Sequence, residues 1–312
     1  MCAARRESDR KIESRATESW MSLDLIDELP FESWDPASDA GNAAADSLER
    51  GRILYLPRLR FELAPAQARF LAASWSDGRS KNIYLRGANR RLRGARGSRD
   101  DLEELRAMLE RFAQQAQRLV AALLPRYRAA VGIGNTSFRP CEIEGRPSSW
   151  RKDDRRLHTD SFPSDPTHGA RLLRVFTNVN PAARPRVWRV GEPFRDMAAR
   201  FLPRARGQLP GEAALLRALR ITKRPRSEYD HLMNQLHDRV KADIDYQRNA
   251  PAQRIEFPAG STWIVFSDQV LHAALSGQFM LEQTWRLPVA AIGNPDTAPL
   301  RVLERLVGHA LV

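Results

Sequence analysis

RIEFPAGSTWIVFSDQVLHAAL (residues 254–275) decides the fold: PAGS is a turn, and the apolar, β-branched run after it has strand character. Other short strand-like stretches surround it: TSFRPCEIEG (136–145), RLLRVFTNVNP (171–181), RVWRV (186–190) and FMLEQTWRLPV (279–289). Between RVWRV and RIEF lies a helical insert at about 193–247, where Pro193, Pro203, Pro210 and Pro225 punctuate three short helices. A β-rich half that starts, is interrupted by helices and resumes predicts α+β architecture. We expect a double-stranded β-helix (jelly roll, cupin-like) core with flanking and inserted helices, not a doubly wound sheet.

Upstream, ILYLP (53–57) and KNIYLR (81–86) read as strands and Pro65–Trp75 as helical, with proline at the first position. LRGANRRLRGARGSR (85–99) reads as a basic loop. A long amphipathic helix follows, with Leu102, Leu105, Leu109, Phe112, Ala116, Leu119 and Leu123 on one face. Ser98 and Asp101 form its capping pair, and Pro125 lies where the pattern ends. That helix is expected to pack on a sheet. PLRVLERLVGHALV (299–312) reads as one more amphipathic helix. Residues 21–312 are expected to form a single catalytic domain.

The first twenty residues lack the apolar core of a secretory signal and read as a flexible tail; Met21 is an alternative start. No run of eighteen apolar residues occurs, so no membrane-spanning helix is expected. Two cysteines, Cys2 and Cys141, exclude a disulfide framework and a thiolate metal site, and suit a reducing, cytoplasmic compartment. The net charge of +12 favours an anionic partner but does not choose among nucleic acid, acidic lipid and polyanionic substrate.

The sharpest chemical signal is LHTDSFP (157–163). In extended backbone, residues i and i+2 face the same side, so His158 and Asp160 can grip one metal. The third ligand must come from His168, His231, His237, His272 or His309. His272 fits best, on the apolar run after PAGS and 112 residues beyond Asp160 (272 − 160). Two histidines and one carboxylate cover one face of an octahedron, the arrangement of non-haem iron(II) oxygenases. A chelating 2-oxo acid and dioxygen take the open positions, and the acid's remote carboxylate needs a cation. Arg286, 14 residues past His272 (286 − 272), meets that need. Alternation along 171–181 puts Arg174, Phe176 and Asn178 on the more polar face, which makes Asn178 and Arg174 pocket candidates. His231 and His237 read as surface or substrate-side residues, His168 as a loop residue and His309 as structural.

The stretches LHTDSFPSDPTHGARLLRVFTNVNP (157–181), YDHLMNQLHDRVKADIDYQ (229–247) and IEFPAGSTWIVFSDQVLHAALSGQFMLEQTW (255–285) resemble the bacterial Kdo (3-deoxy-D-manno-oct-2-ulosonic acid) hydroxylases. The resemblance covers about 50–290. It implies hydroxylation of Kdo at C3 to give the octulosonic acid Ko, dependent on Fe(II), 2-oxoglutarate and O2. The implied substrate is Kdo on lipid A, a lipopolysaccharide precursor, met by a cytoplasmic enzyme peripheral to the anionic inner membrane. The family's metal triad falls on His158, Asp160 and His272, with Arg286 as the 2-oxoglutarate cation; no nucleic-acid partner is expected. Three rival readings remain: an Fe(II)/2-oxoglutarate oxygenase acting on nucleic acid through 85–99, a non-catalytic β-sandwich binding module, and a structural cupin holding a different divalent metal.

Overall fold

The computed structural model describes residues 24–37, 42–86 and 90–312; the expected tail lies outside them. In chain order the elements begin β1 (Ile26–Glu28), α1 (Ala43–Glu49), β2 (Ile53–Leu56), β3 (Ile83–Arg86), β4 (Arg91–Arg93), α2 (Arg99–Leu123) and β5 (Gly132–Arg139). Next come β6 (Arg171–Asn178), β7 (Arg186–Gly191), α3 (Phe194–Phe201), α4 (Glu212–Ala218), α5 (Glu228–Ala242) and α6 (Ile244–Asn249). The chain ends through β8 (Ala252–Phe257), β9 (Thr262–Phe266), β10 (His272–Ser276), β11 (Met280–Leu287) and α7 (Pro299–Val307).

The strands form two facing sheets. The larger has the order β1-β2-β9-β6-β11-β5-β3-β4 and the smaller β10-β7-β8; every pairing is antiparallel except β1 with β2. Strands far apart in sequence lie side by side, β5 beside β11 and β6 beside β9, which is jelly-roll connectivity. The insert α3–α6 leaves the smaller sheet after β7 and returns to it as β8.

Alternation sorts the residues of β6 between two cores. Leu173 and Val175 join the cluster holding Leu105, Leu109, Phe112 and Leu119 of α2, so α2 covers the outer face of the large sheet. Phe176 points the other way, into a second cluster with Trp188, Trp263 and Phe257 between the sheets. Trp188 meets Phe176 and Trp263 edge-on at 5.3 and 5.6 Å. The α2 N-terminus is capped as the sequence implies, Ser98 Oγ accepting from the Asp101 N–H at 3.2 Å. Phe112 is fully buried and packs edge-on against Phe61 and Trp34. Phe112→Ala is expected to cost about 3–5 kcal/mol, seen as a lower denaturant midpoint with an unchanged slope.

Three local expectations change. Pro65–Trp75 forms two 3₁₀ turns, Pro65–Phe70 and Ala73–Trp75, because Leu71 and Ala72 leave helical space (ψ 57° and 139°). Phe70 and Trp75 then close on one another at 4.9 Å. The basic loop contains a hairpin, β4 pairing with β3. The insert holds four helices rather than three: α5 runs 15 residues, opened by a reciprocal Ser227–Asp230 capping box.

Candidate metal centre

His158 is not on a regular strand. It makes an isolated antiparallel bridge with His272, each N–H donating to the other's carbonyl at 2.9 and 2.8 Å. The Asp160 N–H donates to the Ser267 carbonyl at 2.8 Å, so the HTD segment runs extended from the start of β10 to the end of β9. Parity therefore operates, and both side chains point inward. The ligand atoms of His158, Asp160 and His272 lie within 4.8 Å of one another.

The donor chemistry fits a divalent ion. His158 Nδ1 lies 2.7 Å from the Arg156 carbonyl and His272 Nδ1 2.8 Å from the Val270 carbonyl. A carbonyl only accepts, so each Nδ1 carries the proton and each Nε2 is free to ligate. Burial, the largest influence, pushes both imidazoles below their ordinary range and keeps them neutral; for His158, Lys241 and His272 add to it. Burial opposes ionisation of Asp160, but the Arg174 guanidinium outweighs it and holds the carboxyl well below the usual range. The indole of Trp188 stacks on His272 at 4.8 Å and fixes that ring's plane.

Arg174 lies beside the triad. Its Nη1 is 3.2 Å from Asp160 Oδ2 and 3.1 Å from Glu282 Oε1. Glu282 also pairs with Arg139. Asn178 is placed differently: its amide donates to the Arg184 and Phe257 carbonyls at 2.9 and 3.0 Å, and its oxygen accepts from the Asn180 N–H. Both its donors are engaged in tying the β6 end, so the pocket role expected of Asn178 has no support. Arg286 stands at the mouth, pairing with Asp165 at 3.0 Å beside Phe162. Asp165 also binds Lys223 at 2.7 Å.

Of the interior cations, sequence reasoning singled out Arg174 but neither Arg139 nor Arg186. Arg186 is fully buried and donates only to the Gly277 carbonyl, at 2.8 Å; among the described residues no carboxylate lies within ion-pair distance of it. Burial, then Arg139, pushes its guanidinium down to about 9. The Nε atoms of Arg139, Arg174 and Arg186 and Nε1 of Trp188 are buried without a hydrogen-bond partner. Such groups are costly unless an anion meets them. The signal was present: alternation in RVWRV puts Arg186 and Trp188 on the face that carries His272's neighbours. His237 was also underrated; its ring meets His158 edge-on at 5.4 Å, from α5. His168 lies in its loop, bonded to the Pro225 carbonyl, and His309 pairs with Glu228.

Asp154 anchors the far end of this charge array, 2.5 Å from Lys81 and 3.8 Å from Arg139. Burial opposes its ionisation, yet Lys81 and Arg139 hold its carboxyl far below the usual range. A depressed carboxylate stabilises the fold above its unfolded pKa, and this contribution is lost as pH falls through the unfolded value toward the folded one. Asp154→Asn is therefore expected to melt lower than the parent near neutral pH. The gap should close on acidification below about pH 4; a gap independent of pH would refute the assignment.

A groove of about 380 Å³ borders the site, lined by Trp150, Arg151, Arg226, His231, Asn234 and Arg239. Asn234 also borders the small cavity beside Asp160 and accepts a hydrogen bond from Ser161 at 3.0 Å.

Residues 32–310 match the family model described as 3-deoxy-D-manno-oct-2-ulosonic acid (Kdo) hydroxylase. Among curated sequences nothing matches. Solved structures of the Kdo hydroxylase KdoO, a non-haem Fe(II) α-ketoglutarate-dependent dioxygenase, do match. The complex with α-ketoglutarate and Fe(III) is 44% identical with a TM-score of 0.89, covering 92% of this chain and 97% of that one. The cobalt(II) complex is 45% identical with a TM-score of 0.90 and the same coverage. The chain belongs to the Kdo hydroxylase family of Fe(II)- and 2-oxoglutarate-dependent dioxygenases.

Proposed function

We propose that this enzyme hydroxylates Kdo at C3 to give Ko while the sugar is attached to lipid A, using Fe(II) on His158, Asp160 and His272. The inward-facing triad on a jelly-roll frame, in a chain of this family, carries the reading. It displaces the nucleic-acid and non-catalytic alternatives. When bound, iron and 2-oxoglutarate convert dioxygen into the oxidant that takes hydrogen from the sugar carbon.

The protein's share is ligation, orientation and exclusion of water. Arg174 holds one oxygen of Asp160 and so leaves the other for the metal. For the remote carboxylate of 2-oxoglutarate we assign the interior donors Arg139, Arg174 and Arg186 with the Trp188 N–H, in place of Arg286. The orphaned buried donors support this assignment: a carboxylate accepts several hydrogen bonds at once. Arg286 instead fastens the loop after Asp160 through Asp165.

Among the described residues no helix is long and apolar enough to cross a membrane. The net charge of +12 suits peripheral contact with an anionic inner-membrane surface from the cytoplasmic side. Mass spectrometry of lipopolysaccharide from cells with and without the gene tests the function. The expected result is one extra oxygen on inner-core Kdo only when the gene is present; identical masses would refute it.

A further inference from the structure

We propose that residues 204–226 form the face on which the enzyme docks to an anionic bilayer, with Leu209, Leu215, Leu219 and Ile221 entering the headgroup region. This rests on reading the substrate as a membrane glycolipid, and it names the element that meets the membrane.

Two observations coincide in this short segment, which includes α4. It carries seven basic residues and one acid (7 − 1 = +6), half of the whole chain's net charge of +12. Arg206, Arg217, Arg220, Arg224 and Arg226 have no acidic partner within ion-pair distance among the described residues. Interleaved with them, Leu209, Leu215, Leu219 and Ile221 are 70, 59, 60 and 51% exposed. Leu215 lies on α4 and Leu219 caps its end four residues on, its N–H donating to the Leu215 carbonyl at 2.9 Å, so the two share one face. Exposed leucines clustered this closely are unusual on a surface that meets only water.

Charge and apolarity together select the partner. A polynucleotide would use the arginines but leave the leucines in water. A second copy would set +6 against +6. An anionic bilayer satisfies both, with phosphates for the arginines and an apolar boundary for the leucines. The basic strands β3 and β4 differ: among their described residues Ile83 and Leu85 are buried and Leu92 is half-buried.

The segment is also tied to the mouth of the site. The Lys223 N–H donates to the Ser164 carbonyl at 2.9 Å, and Arg226 donates to the Pro163 carbonyl at 2.8 Å. Arg224 reaches the Pro166 carbonyl. All three carbonyls belong to the loop that follows Asp160, so a bilayer on 204–226 lies beside the entrance to the metal centre.

Co-sedimentation of the full chain with phosphatidylcholine vesicles, with and without phosphatidylglycerol, tests this. The parent is expected to bind the anionic vesicles far better. Leu215→Glu/Leu219→Glu and, separately, Arg217→Glu/Arg220→Glu should each weaken that binding by about tenfold or more. Turnover of an acyl-free, water-soluble Kdo glycoside should be unchanged in both variants, while turnover of Kdo-lipid A in vesicles falls. Parent-like vesicle binding by both variants would overturn the proposal. So would failure of the parent to bind, with the variants altering only its oligomeric state in size-exclusion chromatography. A parent that binds vesicles through this segment but oxidises no Kdo sugar would uphold the docking face and refute the substrate reading.

Discussion

His158→Ala and Asp160→Ala are expected to fold, to lose Co(II) binding by more than about 100-fold and to release no succinate above background. The bound on affinity follows from precedent: removing only the hydrogen-bond partner behind a metal ligand costs about 10–100-fold, and these changes remove the ligand itself. Folding should survive His158→Ala because the bridge to His272 uses backbone atoms alone. Asp160→Ala leaves Arg174 still paired with Glu282, so no isolated charge is created. Isothermal titration with Co(II) reads metal binding, and succinate release reads turnover. Parent-like values for either variant would show that the triad is misassigned.

Arg186→Met should raise the KM for 2-oxoglutarate by about 30-fold or more, because truncating one partner of a buried charge pair costs roughly 2–5 kcal/mol. The same variant should be as thermally stable as the parent, or more so, when no cosubstrate is added. A buried charge without an opposite partner is replaced by an apolar chain of similar volume, a change that is often neutral or stabilising. A merely structural arginine predicts the reverse, lost stability with an unchanged KM. Arg286→Ala is the discriminating comparison. It breaks the tie to Asp165 at the mouth and should move the KM for 2-oxoglutarate much less than Arg186→Met does. If Arg286→Ala has the larger effect, the spacing argument that selected Arg286 is right and the interior assignment is wrong.

The jelly roll was legible because its strands keep strict alternation. Leu173 and Val175 against Phe176 separate the two cores in the sequence as in the structure. The triad was legible for the same reason, two residues apart on extended backbone. What the sequence hid was depth. Arg186 and Arg286 both look like strand arginines; only the sheet order puts one between the layers and the other at the rim. Asn178 shows the same limit, since parity set its face, yet its partners are carbonyls from two other segments. His237 was hidden because a helix in the insert gives no clue to which strand it leans on. The exposed leucines of 204–226 could be counted in advance, but their exposure depends on how the insert packs.

The reciprocal bridge between His158 and His272 closes a chain loop of 114 residues (272 − 158) with backbone bonds alone, and the whole insert lies inside that loop. Loop-closure entropy grows only logarithmically, so doubling such a loop costs about 0.6 kcal/mol. Within that loop α5 and α6 do touch the His158 segment, through His237 and Gln247, whereas α4 lies apart from it among the contacts described. A change of length around α4 would therefore leave the spacing of His158 and His272 as it is, because the two are joined by their own backbone bonds.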